Sequence, residues 1–328
     1  MRESGESLRW NPATVRASSG FCYSLRVQGS PGIYVEILIQ DELEHIWRLT
    51  QDPGLHQRWD LRFSQIQYLP RSSPAEPQRF FYETRIGFGL SVKGTGESVG
   101  ERAAANGDTT SSLKFASDDS KSLIREGSGY WRYVPTPAGL RFFTWYDYSV
   151  RFGMVGWLLD RLIFRRLMGW ATAWSFDRMR LWVEEGQTPE SSLALSLIHA
   201  TARLAIAAVW IWHGLIPKLV YRDVGEQTML AQAGVSLRLL PWIGGLEILI
   251  GLFILYAWQW RAAFAANIAL MVLAAIAVAI NSPLYLTAAF NPVSLNLAVV
   301  ALSIIGWIAS GSLPSARACL RSAPRGQA

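Results

Sequence analysis

Apolar residues gather in four long runs toward the end of the chain, at 194–217, 239–258, 262–280 and 292–313. Each approaches the ~20 residues that cross a ~30 Å hydrocarbon core. The runs are apolar all round, whereas helices of a soluble bundle keep a charged outer face, so the pattern predicts four membrane-spanning helices. Upstream the periodicity changes. Segment 33–40 alternates as a strand, and 41–50 reads as a helix with Asp41 as N-cap and Leu43, Ile46, Trp47 and Leu49 on its apolar face. Asp52-Pro53-Gly54 then breaks that helix. Strand-like runs follow at 64–70, 79–87, 90–99, 110–117, 121–133 and 139–150, the last two joined by a turn over Pro135 to Gly139. A long helix from Val155 to Glu184 closes the segment, with Leu158, Leu162, Leu167, Trp170, Trp174 and Leu181 recurring at helical spacing. The expected fold is an α+β unit, a curved antiparallel sheet around a long C-terminal helix, followed by an all-α four-helix transmembrane bundle.

Composition sharpens the division. The mean hydropathy of +0.16 and the 17% of charged residues average two unlike parts. We divide the 328 residues into an N-terminal extension (1–32), a soluble domain (33–186), a membrane domain (193–313) and a basic C-terminal tail (314–328). A net charge of +6 and a pI near 9.5 do not by themselves point to nucleic acid, because basic residues around membrane helices favour the cytoplasmic side and anionic lipid. Membrane lipids are the expected partner and nucleic acid is not. Cys22 and Cys319 are too few and too far apart for a disulfide framework or a metal cluster. MRESGESLRWNP has no apolar core, so the first export signal is the helix starting near Ala194. Arg178, Arg180, Arg261, Arg317, Arg321 and Arg325 fall on the side of the soluble domain, against Lys218, Arg222 and Arg238 on the other. That asymmetry predicts a cytoplasmic soluble domain and cytoplasmic termini.

The element order, together with LTQDPGLHQRWD at 49–60, resembles the SRPBCC superfamily, the START-like or polyketide-cyclase-like helix-grip fold, over residues 33–184. The resemblance implies a sheet wrapped around the long helix and a cavity for an apolar ligand. Residues 193–313 resemble the DoxX-like family through ARLAIAAVWIWHGLIPKL (202–219), GGLEILIGLFIL (244–255) and FNPVSLNLAVVAL (290–302). This second resemblance implies a four-helix membrane bundle. Some relatives in the wider DoxX group are associated with quinone-linked oxidation of sulfur compounds or with redox stress.

The charges deepest in lipid are Arg203, nine residues or ~14 Å into the first span, and Glu247, eleven residues or ~16 Å from the end of the second. At matching depth they are expected to form an ion pair, which either fixes helix register or takes part in proton movement or headgroup binding. His213, Asn281 and Asn296 collect near the opposite face with Trp210, Trp212 and Tyr285. Two readings stand for this group: His213 hydrogen-bonding a carbonyl such as a quinone oxygen, or an interfacial His within an aromatic belt beside Asn residues that cap helix ends. Lys218 reads as a snorkelling anchor, Asn267 as a hydrogen-bonding residue inside the bundle, and Gly214, Gly244, Gly245 and Gly251 as close-packing positions.

In the soluble part, Trp59, Phe81, Tyr82, Phe88, Trp131, Tyr133, Trp145 and Tyr148 are candidates to line or seal a pocket, with plain core packing as the other reading. GTGESVG at 94–100 follows no strand-to-helix dinucleotide unit and reads as a bend or turn between strands, and His45 and His56 read as surface residues. Arg161, Arg165 and Arg166 beside Trp157, Trp170 and Trp174 either rest on the cytoplasmic leaflet or face water over a packed apolar side. No catalytic group or metal ligand set is identified. The function expected is a multi-pass membrane protein whose cytoplasmic cup binds a hydrophobic molecule such as a lipid or isoprenoid. The alternative is a quinone-interacting redox subunit, with quinone between Arg203, Glu247 and His213 and electrons supplied by a partner protein; a purely structural role is a third reading.

Overall fold

A computed structural model describes residues 32–73, 76–105, 107–289 and 291–323. The expected N-terminal extension, with Cys22, lies outside the described residues except for Gly32, as does Arg325 of the basic tail.

The soluble part begins with β1 (Ile33–Ile39), α1 (Leu43–Gln51) and α2 (Pro53–Trp59). Six strands follow: β2 (Gln65–Tyr68), β3 (Arg79–Gly87), β4 (Leu90–Ala103), β5 (Thr109–Ala116), β6 (Ile124–Thr136) and β7 (Gly139–Val150). All pair antiparallel in one sheet of order β1-β7-β6-β5-β4-β3-β2. Alternation sets the faces: Leu140, Phe142, Thr144, Tyr146 and Tyr148 of β7 all turn to the buried side. After β7 the chain is helical through α3 (Gly153–Leu159), a π turn (Asp160–Phe164) and α4 (Arg165–Glu185). The extra residue of the π turn carries Asp160 inward, where Tyr148 donates to it at 2.7 Å and Arg165 at 2.9 Å. The sheet closes on α4 through Val35, Ile37, Ile39 and Phe142 against Phe176 and Met179, with Trp59 of α2 filling the end. This is the helix-grip arrangement.

Four local expectations are corrected. Glu42, not Asp41, is the N-cap of α1; one Asp41 oxygen accepts the Glu42 N–H and the other pairs with His45. Asp52-Pro53 ends α1 but also starts α2, because Asp52 accepts the Leu55 N–H and Pro53 needs no donor at a helix start. The turn between β6 and β7 is shorter than 135–139, with Thr136 already paired to Gly139. GTGESVG is no turn: Gly94 and Gly96 lie inside β4, where a Cβ would fall 2.4 Å from the Tyr82 ring and 2.1 Å from the Phe80 ring. The missing side chains let two aromatic rings lie flat across β4, and the segment's bend is the bulge between Ser98 and Gly100, inside the strand and not between strands.

The membrane part comprises α5 (Pro189–His213) with a π turn (Gly214–Val220), α6 (Val224–Gln232), α7 (Leu240–Tyr256), α8 (Ala262–Asn281) and α9 (Pro292–Ala309). Among the described residues, four spans are long and apolar enough to cross a bilayer: Pro189–Val220, Leu237–Tyr256, Ala262–Asn281 and Pro292–Ala309. α5 starts earlier than the apolar run because Thr188 caps it and Pro189 occupies its first turn. Leu204, Trp212, Leu246, Leu273 and Ile308 stand exposed around the bundle, as lipid-facing residues must. A Cβ on Gly214 would meet the Gly244 carbonyl at 2.4 Å, so α5 and α7 touch through backbone there.

Beyond α9 the tail returns to the soluble part. Asp177 accepts the Ser315 N–H at 2.7 Å, the buried Cys319 thiol donates to the Ala173 carbonyl, and Leu320 pairs with Glu36 on the free edge of β1. The tail thereby covers a sheet edge.

Candidate functional site

Between the sheet and α4 lies a cavity of about 450 Å³, within the ~300–1,000 Å³ of small-molecule sites. Phe80, Tyr82 and Ile86 of β3 face it from one side, Trp131 and Tyr146 from another, and Phe164, Met168 and Ala171 from the helix. Its surface is mostly apolar; Lys121, paired with Asp119 at 3.5 Å, stands at its edge, and His56 and Arg62 bring a polar cluster into the wall with Asp60 behind them.

That cluster is His56, Asp60 and Arg62. Asp60 caps the end of α2, one helical turn after His56, so His56 Nε2 lies 3.1 Å from Asp60 Oδ2. Arg62 doubles back and grips the same carboxylate with Nε at 2.9 Å and Nη2 at 2.6 Å. Its guanidinium lies 5.4 Å from the centre of the Tyr146 ring, and the Tyr146 hydroxyl shares a 2.8 Å bond with Thr172 of α4. His56 stacks on Trp59 at 5.0 Å and meets Trp131 edge-on at 4.9 Å. Burial alone would raise the Asp60 carboxyl, but Arg62 and His56 outweigh it and hold Asp60 well below the usual carboxylate range. Burial lowers His56, and its contact with Asp60 only partly offsets this. The cluster therefore contains a carboxylate, a guanidinium and a neutral imidazole at neutral pH, with no net charge. Asp60 takes two of the five Arg62 N–H donors, and neutral His56 with its N–H on Asp60 keeps an acceptor nitrogen, so the cluster suits a neutral polar oxygen on an otherwise apolar molecule.

Of the aromatic candidates, the structure places Tyr82 and Trp131 on the cavity. Trp59 and Tyr133 are core: Trp59 donates to the Leu49 carbonyl at 2.9 Å, and the Tyr133 hydroxyl meets Thr50 at 2.6 Å. Tyr148 faces inward beyond the cavity and is committed to Asp160. Trp145 and Phe81 sit one residue out of phase with the inward positions Tyr146 and Tyr82, and so face away. Phe88 stands fully exposed at the β3–β4 hairpin tip with φ 51°, a left-handed value. His56 is buried, contrary to the surface position expected of it, because a neutral imidazole can stack among aromatic rings. Phe80, Tyr146 and the cluster itself were missed; the spacing His-x-x-x-Asp-x-Arg in HQRWDLR was the available signal.

In the bundle the expected Arg203–Glu247 pair is absent. Arg203 is fully buried and donates to His199 Nε2 at 3.0 Å, to the Ile254 carbonyl at 2.8 Å and to the Trp260 carbonyl at 2.8 Å, over the Phe264 ring at 4.5 Å. It takes up the Ile254 carbonyl in the last turn of α7 and the Trp260 carbonyl of the connection to α8, which also accepts the Ala263 N–H. Glu247 lies seven residues, or ~10 Å, before Ile254 on α7. Lys218 reaches it instead, with Nζ 3.0 Å from Glu247 Oε2 and 3.2 Å from Glu226 Oε2. Lys218 is therefore buried and ion-paired, not snorkelling; Pro217 and the π turn direct it inward. Asn267 joins three helices, accepting from Trp210 Nε1 at 2.7 Å and donating to Ser303 at 2.7 Å. Asn281 is exposed and bonds its own helix at Ala277, while His213 and Asn296 are half-buried. Arg203, with its partners at the end of α7, and Glu247, held by Lys218, form separate sites, so the three residues proposed to surround a quinone are not one constellation.

Among the described residues, no group of three or more metal-ligating side chains is assembled. Four apolar spans joined to a helix-grip cup define an integral, multi-pass membrane protein. Residues 207–304 match the family model described as the DoxX-like family. An uncharacterized membrane protein of Bacillus subtilis (strain 168), YndG, is 49% identical over 183 residues, which cover 56% of this chain and 68% of that protein. The chain belongs to the same family as this protein, and its C-terminal part is a DoxX-like domain. Two solved structures align at lower similarity. TTHA0849 from Thermus thermophilus is 18% identical, covering 42% of this chain and 87% of that one with a TM-score of 0.33. A STAR-related lipid transfer protein from Xanthomonas axonopodis is 16% identical, covering 44% and 84% with a TM-score of 0.35.

Proposed function

We propose that this protein is a membrane-anchored binder of a hydrophobic small molecule, held in a cup on the cytoplasmic side of the bilayer. The observation that carries the reading is the apolar cavity between sheet and helix, with His56 and Arg62 of the net-neutral His56–Asp60–Arg62 cluster in its wall. An elongated apolar body fills the aromatic space, and a single hydroxyl or carbonyl oxygen meets the cluster. At the cluster a carboxylate is disfavoured, because Asp60 already neutralises Arg62. The four spans keep the cup at its lipid source, and the excess of Arg on the cup side supports the cytoplasmic orientation.

Solvent extraction of the purified full-length protein, followed by mass spectrometry, tests this. The expected extract contains one class of neutral, oxygen-bearing hydrophobic compound in near-stoichiometric amount. An extract holding only bulk membrane lipid in its bulk proportions would remove the reading.

A further inference from the structure

One face of α4 connects the cup to the membrane. Leu167, Trp170, Trp174, Arg178 and Leu181 succeed one another at three- and four-residue steps and so share a side of the helix. At the C-terminal half this side is covered: Trp174, Arg178 and Leu181 are buried, and Arg178 donates twice to the carbonyl of Pro189, the first residue of α5. At the N-terminal half the same side is bare. Leu167 and Trp170 are exposed, and the apolar surface continues through Met154, Val155, Leu158, Leu159, Leu162 and Ile163. Met154 and Val155 are 83% and 75% exposed, far beyond the scattered apolar exposure of a water-facing helix.

The exposed charges within 153–170 are Arg161 and Arg166, while the nearby acids Asp147 and Asp118 pair with Arg165 and Arg151. Arg161 lies over the Trp157 ring at 5.3 Å, and both Arg161 and Arg166 are exposed. The acid within the stretch, Asp160, is buried and held by Arg165 and Tyr148. Apolar side chains flanked by free cations match an anionic lipid leaflet. Leu167 and Trp170 also line the cavity while remaining exposed, so the cavity meets the outside at this surface.

We infer that the bare face of α3 and the start of α4 inserts into the same leaflet that anchors the four spans, and that the cavity mouth opens there into lipid. The inference rests on the binding reading above and adds its route: ligand enters the cup from the bilayer without crossing water. The occupant is lipid because the face continues an interface already made with the start of the membrane bundle, and the spans hold a bilayer within reach at all times.

The test uses the full chain in nanodiscs of anionic lipid, with Cys22→Ser and a spin label at Leu158→Cys or Ile163→Cys. Thr95→Cys, on the outer face of the sheet, serves as control. Labels at 158 and 163 are expected to be more accessible to oxygen than to a water-soluble nickel chelate, with the order reversed at 95. Water-like accessibility at 158 and 163 overturns the inference, and dipolar broadening between labels on two copies overturns it in favour of a self-association face. In a second arm, Leu158→Asp with Leu162→Asp is expected to slow loading of a fluorescent sterol or fatty alcohol from vesicles by about tenfold or more. Equilibrium retention of the same probe added in detergent stays unchanged. If the wild type retains no probe by either route, the binding reading fails, while the depth measurement still decides whether the face is inserted.

Discussion

Asp60 is buried with Arg62 and His56 both turned onto it, and the three groups depend on one another. His56 has the most direct consequence in solution. In the unfolded chain it titrates near its ordinary value of 6.5, and burial lowers it in the fold. A folded-state value below the unfolded one leaves stability fully present above pH ~6.5 and removes it as pH falls through and below that point. The thermal midpoint of the full-length protein, followed by tryptophan fluorescence, is therefore expected to be flat above pH ~6.5 and to decline below it. His56→Gln, which keeps a donor to Asp60 and cannot charge, is expected to flatten the decline. An unchanged slope in that variant would place the acid sensitivity elsewhere. Asp60 adds a separate loss beneath its own ordinary value of 3.8, since its folded-state value is also depressed. Composition told nothing of this, because a His at an apolar-to-polar boundary reads the same whether it stacks on Trp59 or faces water.

Elements were legible where a period could be counted. The strands from β1 to β7 and the four spans fall near the segments their alternation and apolar length mark out. Facing was harder. Trp145 and Tyr146 are adjacent and equally aromatic, so a one-residue uncertainty in register decides which lines the cavity. Gly94 and Gly96 resembled a turn because the rings they make room for, Phe80 and Tyr82, belong to another strand. In the bundle, depth was read from the start of the apolar run, while α5 begins in the aqueous part at Pro189. Depth also carries no rotation, which is why Glu247 finds Lys218 and Arg203 finds helix-end carbonyls. Replacing Lys218 with Met strands Glu247 and Glu226, and is expected to cost about 3–5 kcal/mol of bundle stability. Adding Glu247→Gln is expected to restore part of that loss in thermal or denaturant unfolding in micelles. A Lys218→Met protein as stable as wild type would mean that Lys218 reaches water.

The whole molecule is tied together at both ends of the bundle's chain. Arg58 of α2 grips Glu190 at the start of α5 with two bonds of 2.8 and 3.0 Å, and the tail after α9 returns along α4 to the edge of β1. The cup is thus held against the membrane part by more than the short connection between α4 and α5. Such docking suits a protein that takes its ligand from the bilayer. The central claim is that the cavity of the cup, and not the lipid-facing surface of the bundle, holds a specific molecule. Native mass spectrometry of the intact full-length protein tests it most directly when run beside Ala171→Phe, which fills the cavity from α4. Matching unfolding midpoints would confirm that both chains are folded. The account expects one bound hydrophobic compound on the wild type and none on Ala171→Phe, with ordinary lipid adducts alike on both. The same adduct on both proteins would contradict it.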